Sequence, residues 1–148
     1  MFNTGDDIGY LLNKAARLMK SRVNQRLAEI GLTFPQFLVI RYLYDHEISE
    51  ADTLIITPAL IAERLGYDRP TMTGILDRLV KQGFVTRKNH PEDRRSQRIG
   101  LTGKSRELIE TMNVFCGEVN DQALTGFGDN EYHTFKNCLV RVMKNFEE

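Results

Sequence analysis

The chain lacks most of the features that assign a protein to a large class at once. No stretch approaches the ~20 apolar residues needed to cross a bilayer, and no basic segment followed by an apolar run opens the sequence. A soluble, unexported, cytoplasmic protein is expected. Only two cysteines occur, Cys116 and Cys138, and they lack the close paired spacing of a zinc ribbon or a CxxC redox site. Each sits beside an apolar neighbour, Phe115 or Leu139, in a helical pattern. Burial disfavours thiolate there, so free structural thiols are expected and oxidant sensing is not. The three histidines are dispersed at His46, His90 and His133, with no nucleophile, phosphate loop or metal spacing around them. Neither an enzyme nor a cofactor or metal site is expected. The nearest thing to a ligand set is His90, Glu92 and Asp93, but adjacent residues on a tight loop rarely converge on one ion.

Net charge is absent too, with 20 basic and 20 acidic side chains among 148 residues. Its distribution is uneven. Residues 1–62 carry six basic and seven acidic side chains, residues 63–106 eleven and five, and residues 107–148 three and eight. A basic centre between neutral and acidic flanks suits a local polyanion site in a protein that stays soluble elsewhere. A merely solvated charged face fits the count equally well, so the pattern of residues has to decide.

The length is that of one ordinary domain, residues 1–148, and 41% hydrophobic residues are enough for a core. Ile8, Leu11, Leu12, Ala15, Leu18, Met19, Val23, Leu27 and Ile30 recur at steps of three and four, the period of one helical face. Gly31 ends that helix. Thr33-Phe34-Pro35-Gln36 has the form of a capping box with proline in the first turn, and predicts a second helix to about Tyr44. The polar stretch HEISEADT then reads as a loop.

Two short helices follow. Thr57 and Pro58 can start one whose Leu60, Ile61 and Leu65 face inward, stopped by Gly66. Asp68 can cap the next, with Met72, Ile75 or Leu76, Leu79 and Val80 as its buried stripe and Gly83 at its end. This is the helix-turn-helix pattern, whose second helix fits the major groove of DNA. The outward residues of that helix are Arg69, Thr71, Thr73, Gly74, Arg78 and Lys81. Short hydroxyls and a glycine permit close approach, and the arginines supply charge and paired donors.

Period two then replaces period 3.6. Residues 84–88 and 97–101 are short strand candidates joined by NHPEDRRS. A hairpin directly after a recognition helix is a wing, and it places Arg94 and Arg95 at a tip that can reach the negative potential of the minor groove. From Thr102 a further apolar face runs through Leu108, Met112, Phe115, Val119 and Ala123. Asp129 can cap a last helix in which Tyr132, Phe135, Leu139, Val142 and Phe146 repeat at steps of three and four. Such a seam needs a partner, which the first helix could supply within one monomer, but a helix-turn-helix reading half of a palindromic site usually needs a twin. The fold class expected is mainly α with a small β-hairpin. A winged helix-turn-helix region over 33–102 is flanked by dimerisation helices over 1–31 and 103–148, in a homodimer suited to a palindromic site.

The stretch ITPALIAERLGYDRPTMTGILDRLVKQGFVTRKNHPEDRRSQRIGLT strongly resembles the MarR (multiple antibiotic resistance regulator) family of winged-helix transcription factors. LIAERL, the Thr-rich helix ending LDRLVKQGFV, and DRR before a strand and LT carry the likeness, and LTFPQFLVIRYL resembles the family's second helix. The resemblance implies a dimer with interleaved terminal helices that binds a near-palindromic operator in double-stranded DNA, commonly as a repressor. It implies that Asp93 orients Arg95 in the minor groove and that Arg69, Thr71 and Thr73 carry the recognition-helix contacts. Arg78, on the same outward face, and Arg94, expected nearer the phosphates, are added from the residue pattern itself. The resemblance also implies release by a small aromatic or anionic effector, for which Tyr10, Arg17, Phe37, Arg41 and Met112 are the residues to consider. Pro70, Gly74 and Ser105 depart from the common pattern, where Ser, Arg and Gly often stand. The first two leave the base contacts open, not DNA binding itself. A winged helix that binds a protein instead of DNA is the main rival reading.

Overall fold

Side-chain chemistry at the helix ends sets the element boundaries. In a computed structural model that describes residues 3, 5–48, 56–89 and 97–147, the order is α1 (Ile8–Ala28), α2 (Phe34–Ile48), α3 (Pro58–Leu65), α4 (Arg69–Lys81), β1 (Val85–Asn89), β2 (Gln97–Leu101), α5 (Gly103–Ala123) and α6 (Asp129–Lys144). Asp7 caps α1 by accepting from the Tyr10 N–H at 2.6 Å. Thr33 and Gln36 cap α2 reciprocally: the Thr33 N–H donates to Gln36 Oε1 at 3.0 Å and the Gln36 N–H to Thr33 Oγ1 at 3.4 Å. Thr57 accepts from the Leu60 N–H at 3.2 Å to open α3. Gly66 closes that helix at φ 74°, a left-handed conformation that a β-carbon would strain.

Two boundaries differ from expectation. α2 does not end near Tyr44 but runs to Ile48. Its polar last turn is held by Arg41 pairing with Asp45 at 3.0 Å, by His46 Nδ1 donating to the Tyr42 carbonyl at 2.7 Å, and by Glu47 reaching Arg106 of α5. Lost apolar period is therefore no barrier to a helix whose polar groups find partners. At α6 the cap is Gly128, not Asp129. Glu131 Oε1 accepts from the Gly128 N–H at 3.2 Å, and Asp129 becomes the first helical residue, where a carboxylate still favours the helix dipole.

The strands pair antiparallel, Val85 opposite Leu101 and Asn89 opposite Gln97. The Ile99 N–H also donates to the Ile56 carbonyl at 2.9 Å, which ties the hairpin to the approach to α3. One core gathers Val23 and Leu27 of α1, Val39, Ile40 and Leu43 of α2, Ile61 of α3, and Met72, Ile75, Leu76 and Leu79 of α4. Phe84, Val85, Ile99 and Leu101 from the hairpin and Ile109, Met112, Phe115 and Val119 of α5 complete it. Both alternatives at Ile75 and Leu76 are thus buried, whereas Val80 is 39% exposed, because it sits beyond the edge of the stripe that Leu79 centres. In α5 the stripe passes through Ile109, with Leu108 half-buried and Ala123 exposed. Ser105 lies wholly inside, its hydroxyl donating to the Phe84 carbonyl.

Of the three flanking helices, α5 is packed into the core, while the apolar faces of α1 and α6 are mostly bare. Only Val23 and Leu27 of α1 are buried, and no residue of α6 is. Cys116 is half-buried, and burial pushes its thiol up from the ordinary value, opposed by the charge of Arg41. Cys138 is exposed on α6, contrary to the apolar setting expected for it. No helix among the described residues is long and apolar enough to cross a membrane.

Candidate nucleic-acid interface

Helix α4 presents its first turn outward. Asp68 accepts from the Thr71 N–H at 2.7 Å, and the bonds from Thr71 hold its carboxyl below the ordinary value. Pro70 stands in that first turn, where a missing N–H costs little. Arg69, Thr71, Thr73, Gly74, Arg78 and Lys81 are all exposed. Thr73 Oγ1 donates to the Arg69 carbonyl at 2.9 Å, so its hydroxyl faces a ligand with lone pairs and a methyl group free, not its proton. A β-carbon built on Gly74 meets nothing within 4 Å. Pro70 and Gly74, four residues apart, therefore make a low strip on the helix, flanked by Arg69 and Thr73 on one side and Thr71 and Arg78 on the other. A phosphate chain or base edge can approach that strip closely.

The hairpin is locked to this helix. Arg87 of β1 pairs with Asp77 of α4 at 3.0 Å, and Thr102 Oγ1 donates to the Gly83 carbonyl at 2.6 Å. Gly83, at φ 77°, makes the reversal from α4 into β1. The expected tip residues Asp93, Arg94 and Arg95, with His90 and Glu92, lie outside the described residues. The described parts of the two strands add Lys88 and Arg98, paired across the ladder and both exposed. Among the described residues no three His, Cys, Asp or Glu side chains are grouped to hold a metal ion.

The five residues named for an effector fall in different settings. Phe37 and Met112 are core side chains. Tyr10 and Arg17 lie on the exposed part of α1, with Lys14 Nζ 5.9 Å from the Tyr10 ring centre. Arg41 bridges helices: its Nη1 donates to Asn113 of α5 and its Nε pairs with Asp45. Sequence reasoning missed the clamp between Asp77 and Arg87, and also Gln82 and Lys104, whose bonds hold the far end of α4. Nothing in local periodicity marks them, because their partners are 10 to 51 positions away.

The model of the MarR family matches residues 30–96. The organic hydroperoxide resistance transcriptional regulator of Bacillus subtilis (strain 168) is 34% identical over 93 residues, which cover 63% of this chain and 58% of that protein. The chain thus spans less than two thirds of that relative. A solved transcriptional regulator, PA3341, is 30% identical, with 95% of this chain and 98% of that chain covered and a TM-score of 0.78. A MarR variant from E. coli, solved in complex with operator DNA, has the same fold at 24% identity and a TM-score of 0.79, over 96% of this chain and 97% of its own. The match through α2, α3, α4 and β1 and the shared architecture on either side of it agree: the chain belongs to the MarR family.

Proposed function

We propose that the protein is a homodimeric, sequence-specific DNA-binding transcriptional regulator acting as a repressor in the cytoplasm, with α4 in the major groove and the wing in the minor groove. The observation that carries this reading is the outward face of α4, low at Pro70 and Gly74 and flanked by Arg69, Thr71, Thr73 and, in the last turn, Arg78, on a helix paired with a hairpin through Asp77 and Arg87. That combination suits a helix that enters a groove beside a second contact. The operator complex of the E. coli relative with the same fold supports it. Asp93, Arg94 and Arg95 at the wing turn supply the minor-groove contact. The flanking regions 1–31 and 103–148 form the dimer, and 33–102 the DNA-binding part. A small aromatic or anionic effector would meet Arg41 first, since its guanidinium joins α2 to α5 and reaches solvent.

A pool of randomised duplexes presented to the full chain tests the reading. The expected result is enrichment of one inverted repeat with half-sites about one helical turn apart. Recovery of no preferred duplex would favour the rival, a winged helix that binds protein.

A further inference from the structure

Gln36 and Ser105 are the two buried polar side chains among the described residues, and Gln36 is 5% exposed. Its capping role uses only half of its amide. Oε1 accepts from the Thr33 N–H, while Nε2 donates to Oε1 of Gln82 at 2.9 Å. Gln82 is the C-cap of α4, and its own Nε2 donates to the Gly31 carbonyl at 3.1 Å. The four bonded groups therefore form a relay that starts and ends on the turn between α1 and α2: Thr33 N–H, Gln36, Gln82, Gly31 C=O. Both ends are backbone, one a donor and one an acceptor, so the orientation of each amide is fixed. A second hold comes from Lys104 at the start of α5, whose Nζ donates to the Gln82 carbonyl at 2.7 Å. That charge also suits the negative end of the α4 dipole.

We propose that Gln36 and Gln82 are positioning residues for DNA reading: their amide relay sets the tilt of α4 relative to the α1–α2 turn, and so the aim of Arg69, Thr71 and Thr73. The inference rests on the DNA-binding reading above. Apolar packing through Met72, Leu76 and Leu79 anchors the helix but is non-directional. The bonds at the capped end add a directional restraint on its tilt. A helix of 13 residues is roughly 20 Å long, so a tilt of about 5° about that end moves the other by roughly 1.7 Å. Binding groups need placement to within about 0.5 Å.

The test is a double-mutant cycle on the full chain, read as the ratio of affinities for the duplex that the native protein enriches and for a scrambled duplex. Gln36→Glu keeps an acceptor for the Thr33 N–H but removes the donor to Gln82. However Gln82 then turns, one acceptor faces another. Gln82→Lys with native Gln36 sets donor against donor. The double variant restores the relay, because an ammonium can donate to both Glu and the Gly31 carbonyl. Each single variant is expected to lose about tenfold in the ratio, with the double variant returning to within about threefold of native. Added positive charge cannot mimic this, since Gln82→Lys alone carries the same charge. Gln82→Met, at an exposed position, repeats the loss without burying a charge and serves if Gln36→Glu fails to fold. Selectivity unchanged in Gln82→Met, or not regained in the folded double variant, overturns the inference while leaving DNA binding in place. If the native protein enriches no duplex, the DNA-binding reading falls and takes the inference with it.

Discussion

Helices α4 and α6 carry the same sequence signal and have opposite fates. Both place apolar residues at steps of three and four, Met72, Leu76 and Leu79 in one and Tyr132, Phe135, Leu139 and Val142 in the other. Those of α4 lie fully inside the core, and none of those of α6 is buried. The two halves of α1 repeat the contrast. Val23 and Leu27 pack inward, and Arg26 lies 4.5 Å from the Phe115 ring centre and pairs with Glu118 of α5, while Ile8, Leu11 and Leu18 face outward. Periodicity shows that a face exists but not which body covers it. A face of α6 left bare by its own chain is what a second copy would bury.

The largest effect expected from breaking this contrast is removal of α6. A chain ending at Asp129 should sediment near the mass of one protomer and lose binding to the selected duplex, whereas the full chain should sediment near twice 17.0 kDa. Next come single cuts on the two faces. Leu79→Ala should cost about 2–5 kcal/mol of folding stability, because a closed core cannot refill the space. Phe135→Glu should shift sedimentation toward the protomer and leave the helical circular dichroism signal unchanged. Equal loss of fold in both would erase the distinction between an internal and a shared face.

A smaller effect concerns the wing. Arg95→Ala should weaken binding to the selected duplex by roughly 1–3 kcal/mol with the melting temperature unchanged. Asp93→Ala separates two roles by sign. Removing a negative charge near DNA tightens binding if Asp93 acts only through charge, and weakens it if the carboxylate orients Arg95.

Smallest is the cap of α4. The carboxyl of Asp68 is held below its ordinary value of 3.8 by the bonds from Thr71. A depressed folded value means that the stabilisation is complete above 3.8 and fades as pH falls through the folded value. Asp68→Ala should therefore lower the melting temperature slightly at neutral pH, and the gap from native should close in acid.

Much of this architecture could be read from local chemistry. Thr57, Asp68, Gly66 and Gly83 announce their own roles, because a cap or a positive φ is decided within four residues. The capping box at Thr33 and Gln36 was legible for the same reason. Its second function was not. Whether Gln36 Nε2 meets solvent or Gln82 depends on how α4 packs, and so does the choice of Arg87 as partner for Asp77. The last turn of α2 was missed because its support comes partly from Arg106, 59 positions from Glu47. The outward set on α4 was legible from the helical period, since every named position is exposed. The low strip at Pro70 and Gly74 needed the folded helix.

The central claim is that α4 and the wing together hold DNA, and salt dependence tests it most directly. Native protein and the Arg69→Ala/Arg94→Ala double variant would be titrated against the same selected duplex over a series of salt concentrations. The logarithm of the native binding constant should fall linearly and steeply with the logarithm of salt, and the double variant should show a shallower slope, by about one for each phosphate no longer neutralised. Identical affinity and slope in the two proteins would contradict the account.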